Sequence, residues 1–177
     1  DMTGRRVVVT GLGVIAPNGN TVQEYWDNLV AGKGGAGYVT HFDASGFSSR
    51  VACEVKNFKP EEHIDAKTLR RMDTFVQYAL VSAVMAMDDA GLVVGDGGVD
   101  PTRIGIIVGS GIGGIGVIEE QHTVLLDKGP RRIKPLLIPM LISNMASGQL
   151  SIYFNAKGPN SCVVTACATA AHSIGDA

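Results

Sequence analysis

The chain has 177 residues, of which 45% are hydrophobic and 18% charged, and its formal net charge is −2. This size and composition predict one globular domain with a substantial core and exclude an intrinsically disordered protein. The small net charge gives no indication of nucleic-acid binding, so any basic patch must be local.

The N-terminal segment opens with an apolar run at 6–13 that predicts a strand closed by a glycine turn. Pro-Asn-Gly at 17–19 interrupts the apolar stretch before it reaches the length of a signal peptide or a membrane span. Three cysteines without a short disulfide framework favour reduced thiols. We therefore expect a cytoplasmic protein that makes no contact with a membrane.

The first helix is predicted to run from 21 to about 31. Thr21 and Glu24 have the spacing of a capping box, and Gly32 is placed to end the helix. Two further segments follow, a glycine-rich loop and a short strand, predicted at 32–37 and 51–55.

The most regular periodicity lies at 73–90, where apolar residues recur every three or four positions until Gly91. This pattern predicts a long helix. After Pro101 the run RIGIIVG predicts a strand buried on both faces, and the glycine-rich loop GSGIGGIG follows it.

The last third continues the alternation of helices and strands. One helix is predicted near 117–127, a second from Pro139 through 154, a strand at 161–165 and a final helix from 166 onward. Apolar strands that alternate with helices favour an α/β protein with a largely parallel sheet.

Two glycine runs have the spacing of dinucleotide-binding motifs, at 11–16 and at Gly109, Gly111 and Gly114. Such a motif needs a helix that starts at once and an acidic residue about 20 positions further on. The first run lacks the helix, because 17–19 interrupt it, and the second lacks a strand that ends in an acidic residue. We interpret both as tight turns and close packing, and predict no cofactor.

Cys167 lies where the strand predicted at 161–165 passes into the final helix. Unpaired backbone N–H groups and the positive end of the helix dipole favour a thiolate there, and the same N–H groups can stabilise an oxyanion. A buried, inert thiol is the alternative, and position alone leaves the two open. Cys162, inside the strand, and Cys53 are interpreted as packing residues.

No base for Cys167 is identifiable from the sequence. His172 is five residues away, roughly 140° around a helix axis, so its side chain should point elsewhere and is interpreted as a hydrogen-bonded core histidine. Cys162, Cys167 and His172 do not converge on one tetrahedral centre, so we predict no metal site. Nothing in the sequence directs the other histidines toward Cys167; they are His41, His63 and His122.

Several segments resemble, in order along nearly the whole chain, the β-ketoacyl-acyl-carrier-protein synthases of the elongating, synthase II-like type. The segments are VVVTGLGVIAPNGN, HFDASGF, RRMDTFVQYAL, GIIVGSGIGGIGVIEEQHT, ISNMASGQLSI and KGPNSCVVTACATAAHSIGDA. The resemblance covers only the front part of a typical family member.

The resemblance implies a thiolase-like layered α/β fold and a homodimer. It implies that Cys167 accepts an acyl chain from a thioester, with its own N–H on one side of the oxyanion hole. Decarboxylative Claisen condensation with malonyl-acyl carrier protein then gives a β-ketoacyl-acyl carrier protein in fatty-acid elongation. The family's catalytic histidines, its lysine and the second oxyanion donor have no counterpart among these 177 residues.

Two residues are assigned to substrate binding by resemblance. Ile112 is expected beside the acyl pocket, and Leu137 stands where related enzymes often have an aromatic residue that reaches across the dimer. Chain length and saturation are left open. Two alternatives also stay open: a polyketide ketosynthase and a non-catalytic binding or assembly subunit of the same fold.

Two basic clusters predict a docking surface for an acidic carrier protein. Lys67, Arg70 and Arg71 precede the helix at 73–90, and Arg131 and Arg132 follow the one at 117–127. Basic residues in these segments dock the carrier in related enzymes, and complementary charge raises the association rate. An ordinary solvated surface is the alternative.

The chain is expected to be an incomplete N-terminal thiolase-like half, 1–177, interrupted within the helix after Cys167 and lacking the C-terminal half. Helix carbonyls left without partners and an uncovered apolar face would make it unstable and inactive alone.

Overall fold

The computed structural model describes Gly4 and residues 6–177. It contains two compact units. Unit 1 comprises the described residues of Asp1–Lys59 together with Ser82–Gly91, and unit 2 comprises Pro60–Val81 and Leu92–Ala177.

Unit 1 contains helix α1 (Val22–Val30), and its ends follow the predicted signals. The Thr21 side chain accepts a hydrogen bond from the Glu24 N–H at 3.1 Å. At the other end Gly32, with φ of 67°, donates to the Leu29 carbonyl, and the next N–H reaches back to Asn28. These two bonds form a Schellman motif, which confirms the predicted helix and its glycine stop.

Two short strands of unit 1, β1 (Gly37–Tyr38) and β2 (Val51–Ala52), pair antiparallel. Gly37 lies opposite Ala52, and Tyr38 lies opposite Val51. The strand predicted at 51–55 is therefore present but shorter.

The strand predicted at 6–13 is wrong for the described residues, which form no sheet ladder there. An added Cβ at Gly11 would overlap the Ala86 carbonyl, and one at Gly13 the Ser82 carbonyl. The segment thus lies against the backbone of the long helix, where only glycine fits. The interpretation of the first glycine run as close packing is confirmed.

Unit 2 contains most of the remaining helices and a second strand pair. The helices are α2 (Ala66–Leu69), α4 (Ile115–Lys128), α5 (Leu137–Leu141), α6 (Met145–Phe154) and α7 (Thr169–Asp176). Helix α3 (Thr74–Asp89) supplies residues to both units and agrees with the helix predicted at 73–90. Short 3₁₀ turns lie at Pro60–Glu62, Pro101–Arg103, Pro130–Arg132 and Ala166–Ala168.

The single helix predicted from Pro139 through 154 is wrong, because α5 and α6 are separate. Ile142 is extended, with φ of −71° and ψ of 138°. The Leu141 carbonyl accepts a hydrogen bond from the Gly114 N–H at 2.8 Å instead of continuing a helix. A tertiary contact therefore ends α5 and fixes the glycine loop before α4.

Strands β3 (Ile106–Ile107) and β4 (Asn160–Ser161) pair in parallel. The predicted parallel pairing is confirmed for these two strands. The lengths are wrong, since β4 does not continue to 165 and both residues of β3 are half-buried instead of fully buried.

The apolar core lies in unit 2. Every fully buried hydrophobic side chain among the described residues belongs to this unit: Ile64, Met72, Val76, Leu80, Val81, Val117, Ala146 and Leu150. Helix α6 is held against the parallel pair by Asn160, whose amide donates to the Ser147 carbonyl at 2.9 Å.

Candidate functional site

Cys167 lies in the middle of the 3₁₀ turn Ala166–Ala168, which passes directly into α7. Its side chain is exposed, so the alternative of a buried, inert thiol does not hold. The predicted placement at a helix start is confirmed, with one turn of 3₁₀ geometry before the α-helix.

The backbone around Cys167 is unusual at the preceding residue. Ala166 has φ of 50°, and the three other non-glycine residues with positive φ in the described part of the chain are all asparagine or aspartate. For alanine this conformation costs about 1–3 kcal/mol, so surrounding contacts must hold it.

In the part of the chain that the structure describes, the N–H of Cys167 is left without a backbone acceptor in this turn. Among the described residues it makes no backbone hydrogen bond, whereas the next N–H, of Ala168, donates to the Thr165 carbonyl at 3.1 Å. An N–H that no acceptor occupies can donate to a developing oxyanion beside the thiol.

Side chains of α7 reach back to the residue before the turn. The Thr165 N–H donates to Thr169 Oγ1 at 2.9 Å, and Thr165 Oγ1 lies 2.8 Å from His172 Nδ1. Thr169 is buried, and its carbonyl accepts a bond from the Ser173 hydroxyl at 2.9 Å. His172 is hydrogen-bonded as predicted, but its exposure corrects the prediction of a core histidine.

Gly109, in the loop after β3, lies directly against α7. An added Cβ there would overlap the Thr169 methyl group and would lie 2.8 Å from the Val163 carbonyl and 2.9 Å from the Ser173 hydroxyl. The interpretation of the second glycine run as close packing is therefore confirmed at this position, and the packing supports the turn that carries Cys167.

The other two cysteines are free thiols in different surroundings. Cys162 is half-buried, with its sulfur 3.8 Å from the Val163 carbonyl. Cys53 is exposed, so its interpretation as a packing residue is wrong. Neither lies at a helix start.

The two predicted substrate residues have different environments. Leu137 lines an apolar cavity of about 340 Å³ between α4, α5 and the turn that joins them. Ile118, Leu125, Ile133 and Leu141 form most of the remaining wall. Ile112 does not line this cavity and is 66% exposed.

The five predicted docking cations are all exposed. Within the described residues none of Lys67, Arg70, Arg71, Arg131 and Arg132 forms an ion pair. Lys134, by contrast, is paired with Glu120 at 2.8 Å. A hydrogen bond from Thr68 is the main cause that lowers the pKa of Asp65, which therefore stays ionised beside Lys67.

Sequence reasoning missed two structural features of unit 2. One is the left-handed Ala166, which no residue type signals because alanine rarely adopts it. The other is Gln121, buried on α4, whose Oε1 accepts a bond from the Lys134 N–H at 2.8 Å. A glutamine on an otherwise apolar helix face is the only signal for it.

No group of three or more His, Cys, Asp or Glu side chains among the described residues is arranged to hold a metal ion. In the same residues no helix combines the length and hydropathy needed to cross a membrane.

Two solved ketosynthase structures resemble this chain in fold. The structure described as the ishigamide ketosynthase/chain length factor matches 91% of this chain at 34% identity with a TM-score of 0.79, and the match covers 40% of that chain. A ketosynthase in complex with a type II PKS acyl-carrier protein and bound to the hexaketide matches 96% at 26% identity, with a TM-score of 0.81 and 44% of its own chain covered. The chain thus has the mixed α/β, thiolase-like ketosynthase fold, as predicted.

The family follows from the sequence comparison. The model of the beta-ketoacyl synthase N-terminal domain matches residues 4–177, and the chain belongs to this family. It is 50% identical over 173 residues to the 3-oxoacyl-[acyl-carrier-protein] synthase 2 of Synechocystis sp., and 48% identical over 176 residues to that of Coxiella burnetii. The chain spans 41% and 42% of the length of these two relatives.

Proposed function

We propose that Cys167 is the acyl-accepting nucleophile of a β-ketoacyl-acyl-carrier-protein synthase that elongates fatty acids. One observation carries the proposal: an exposed thiol sits at a helix start, on a turn whose own N–H is unoccupied within the described structure. The identity of about half the residues to 3-oxoacyl-[acyl-carrier-protein] synthase 2 supports this chemistry over other thiol reactions.

The proposed reaction has two stages. In the first, the Cys167 thiolate attacks an acyl thioester, the N–H of Cys167 stabilises the oxyanion, and the carrier thiol leaves. In the second, a malonyl thioester loses carbon dioxide, and the resulting carbanion attacks the acyl-enzyme carbonyl. Cys167 then leaves as thiolate, and the product is a β-ketoacyl thioester.

We place the groups that assist decarboxylation outside residues 4–177. His172 bonds Thr165, and no described hydrogen bond joins it to Cys167. The chain spans well under half of its relatives' length, which leaves room for those groups in the remainder of a complete synthase. We therefore propose that this chain supplies the nucleophile and is inactive in condensation by itself.

The test is covalent acylation measured by mass spectrometry on the polypeptide expressed from the complete gene. We expect an acyl adduct on the peptide containing Cys167, lost in Cys167→Ala and retained in the matched variant Cys162→Ala. An acyl adduct that persists in Cys167→Ala would contradict the proposal. Absence of an acyl adduct in the wild type would favour the non-catalytic binding or assembly subunit.

A polyketide ketosynthase is the second candidate, because both ketosynthase structures described above match the fold. The higher identity to synthase 2 relatives favours fatty-acid elongation. Product analysis decides between them, since a polyketide enzyme would extend chains whose β-keto groups are retained.

We propose an acyl carrier protein as the partner that docks on Lys67, Arg70, Arg71, Arg131 and Arg132. Their exposure and freedom from ion pairs in the described structure support this role. An open cleft of about 610 Å³ lies beside Arg132, and its lining also contains Lys128 and the ion pair between Lys134 and Glu120. An acidic partner gains association rate from such a surface.

Charge reversal tests the docking surface. Arg70→Glu with Arg71→Glu should raise KM for carrier-bound substrate and leave the rate with a small thioester unchanged. Lys33→Glu, an exposed cation of unit 1, is the matched control and should change neither. An equal loss with both substrates would remove the docking role.

Leu137 and Ile112 are proposed to contact the acyl chain. The apolar cavity beside Leu137 supports its role, because an alkyl chain would bury apolar surface there. Leu137→Trp should shift products toward shorter chains, and unchanged products would exclude this cavity as the acyl site.

We also propose a homodimer in a reducing, cytoplasmic setting. The three free thiols support the reducing setting. Strand β4 pairs only with β3 among the described strands, so its other edge is available to a second copy. Sedimentation of the complete polypeptide as a monomer would contradict the dimer.

A further inference from the structure

We propose that Thr165 and His172 are positioning residues that hold Ala166 in its left-handed conformation and thereby fix Cys167 at the start of α7. The inference rests on the proposed role of Cys167 as nucleophile. We name the pair Thr165 and His172 the clasp.

The clasp connects the two sides of the turn. Thr165 directly precedes the 3₁₀ turn, and His172 lies at the end of the first helical turn of α7. Their side chains meet at 2.8 Å, so a hydrogen bond forms whichever nitrogen of the imidazole carries the proton. A second bond joins the Thr165 N–H to Thr169 Oγ1 at 2.9 Å, so the backbone N–H and the hydroxyl of Thr165 both bond to side chains of α7.

The residue between these anchors needs such support. Ala166, with φ of 50°, has a Cβ that disfavours the left-handed region, and it would relax if the chain around it were free. Relaxation would rotate the next peptide, whose N–H is that of Cys167. Thr165 is anchored on one side of Ala166 and α7 on the other, so the clasp opposes that rotation.

The exposure of His172 argues against an ordinary packing role. Its side chain is not part of the buried core, and its described polar contact is the one with Thr165. If His172 only packed against its neighbours, His172→Phe would change the rate of acyl transfer little. If His172 positions the turn, His172→Phe keeps the shape of the ring but removes the hydrogen bond to Thr165, and the rate falls.

The experiment measures the rate of acyl transfer from an acyl thioester to Cys167, on the polypeptide expressed from the complete gene. His172→Phe and Thr165→Val break the clasp, whereas His172→Asn and Thr165→Ser keep a hydrogen-bonding group at the same place. We expect the breaking variants to lose roughly tenfold in rate, and the conservative ones to stay within about twofold of wild type. Ile174→Ala, at a 79% exposed position on the same helix, is the matched control and should not change the rate.

A second background isolates the strain at Ala166. Glycine adopts positive φ without the Cβ penalty, so in Ala166→Gly the clasp has less to hold. His172→Phe should then cost only about twofold instead of tenfold. An undiminished tenfold loss in the glycine background, or equal loss in His172→Asn and His172→Phe, would overturn the clasp.

Failure of the clasp is distinguishable from failure of the proposed function. If Cys167→Ala abolishes acylation while His172→Phe and Thr165→Val react at the wild-type rate, the nucleophile stands and the clasp is wrong. If Cys167→Ala is still acylated, the proposed function fails. The alkylation rate of half-buried Cys162 reports on folding. If this rate rises in His172→Phe, the comparison uses Thr165→Val instead, and the reverse holds for Thr165→Val.

Discussion

Units 1 and 2 are stabilised by different interactions. Unit 2 contains every fully buried hydrophobic side chain among the described residues, whereas unit 1 contains none. Unit 1 depends on local hydrogen bonds, such as the cap of α1 and the bonds between Ala16 and Gly19. Many of its large apolar side chains are exposed, with Trp26 at 61% and Val7 at 87%.

The difference explains where the candidate site lies. A strained turn persists only where its surroundings hold it, and the turn of Cys167 lies in the unit with the buried core. Four substitutions or conditions test this contrast.

The largest effect is expected from the core of unit 2. Leu80 has no exposed surface, so Leu80→Ala should lower the free energy of unfolding by about 2–5 kcal/mol through lost burial and a residual cavity. Leu29→Ala, at a 48% exposed position in unit 1, should cost about 1 kcal/mol or less. Urea denaturation followed by circular dichroism measures both, and equal losses would remove the contrast between the units.

The next largest effect is expected for Gly109→Ala, which should lower the free energy of unfolding by about 1–3 kcal/mol. The added methyl group overlaps Thr169 and displaces α7. The same variant should slow acylation of Cys167. Gly111→Ala is the matched control, since an added Cβ there meets no atom within 4 Å. A Gly109→Ala protein with wild-type stability would show that α7 can shift without cost.

In unit 1 the expected losses of stability are smaller. Thr21→Ala removes the acceptor for the Glu24 N–H and should cost about 1 kcal/mol. Thr21→Ser keeps the hydroxyl and should preserve most of that stability. Urea midpoints of the two variants give the comparison, and identical midpoints would mean that the cap contributes nothing.

The smallest effect is a pH dependence in the β1–β2 region of unit 1. Hydrogen bonds from Thr40 are the main cause that lowers the pKa of Glu54 below its ordinary value of 4.5. A lowered pKa in the folded state stabilises the protein above the unfolded pKa, and this stability is lost as pH falls through the folded value. Glu54→Gln should therefore be less stable than wild type at pH near 7, and the difference should vanish in acid. A difference that persists below the folded pKa would contradict this account.

Much of the local structure was predictable from residue patterns. The bounds of α1 and α3 follow from capping residues, a 3.6-residue period and terminal glycines, all of which act within a few residues. The position of Cys167 at a helix start was predictable for the same reason. So were the family and its fold, because motifs in order along the chain carry both.

Two of the misses in secondary structure depend on distant residues. The Gly114 N–H donates a hydrogen bond to the Leu141 carbonyl, and this bond ends α5 within the helix predicted from Pro139. The strand predicted at 6–13 lacks a partner in the described structure, and an apolar run becomes a strand only when another strand pairs with it.

The sequence by itself therefore determined α1 and α3, their ends and the placement of Cys167 at a helix start, since capping residues and helical periodicity act within a few residues. Only the tertiary structure decided the left-handed Ala166, the bond between Thr165 and His172 and the exposure of the thiol. These depend on how α7 folds back on the residue before the turn, and no residue type on its own encodes that balance of strain and support.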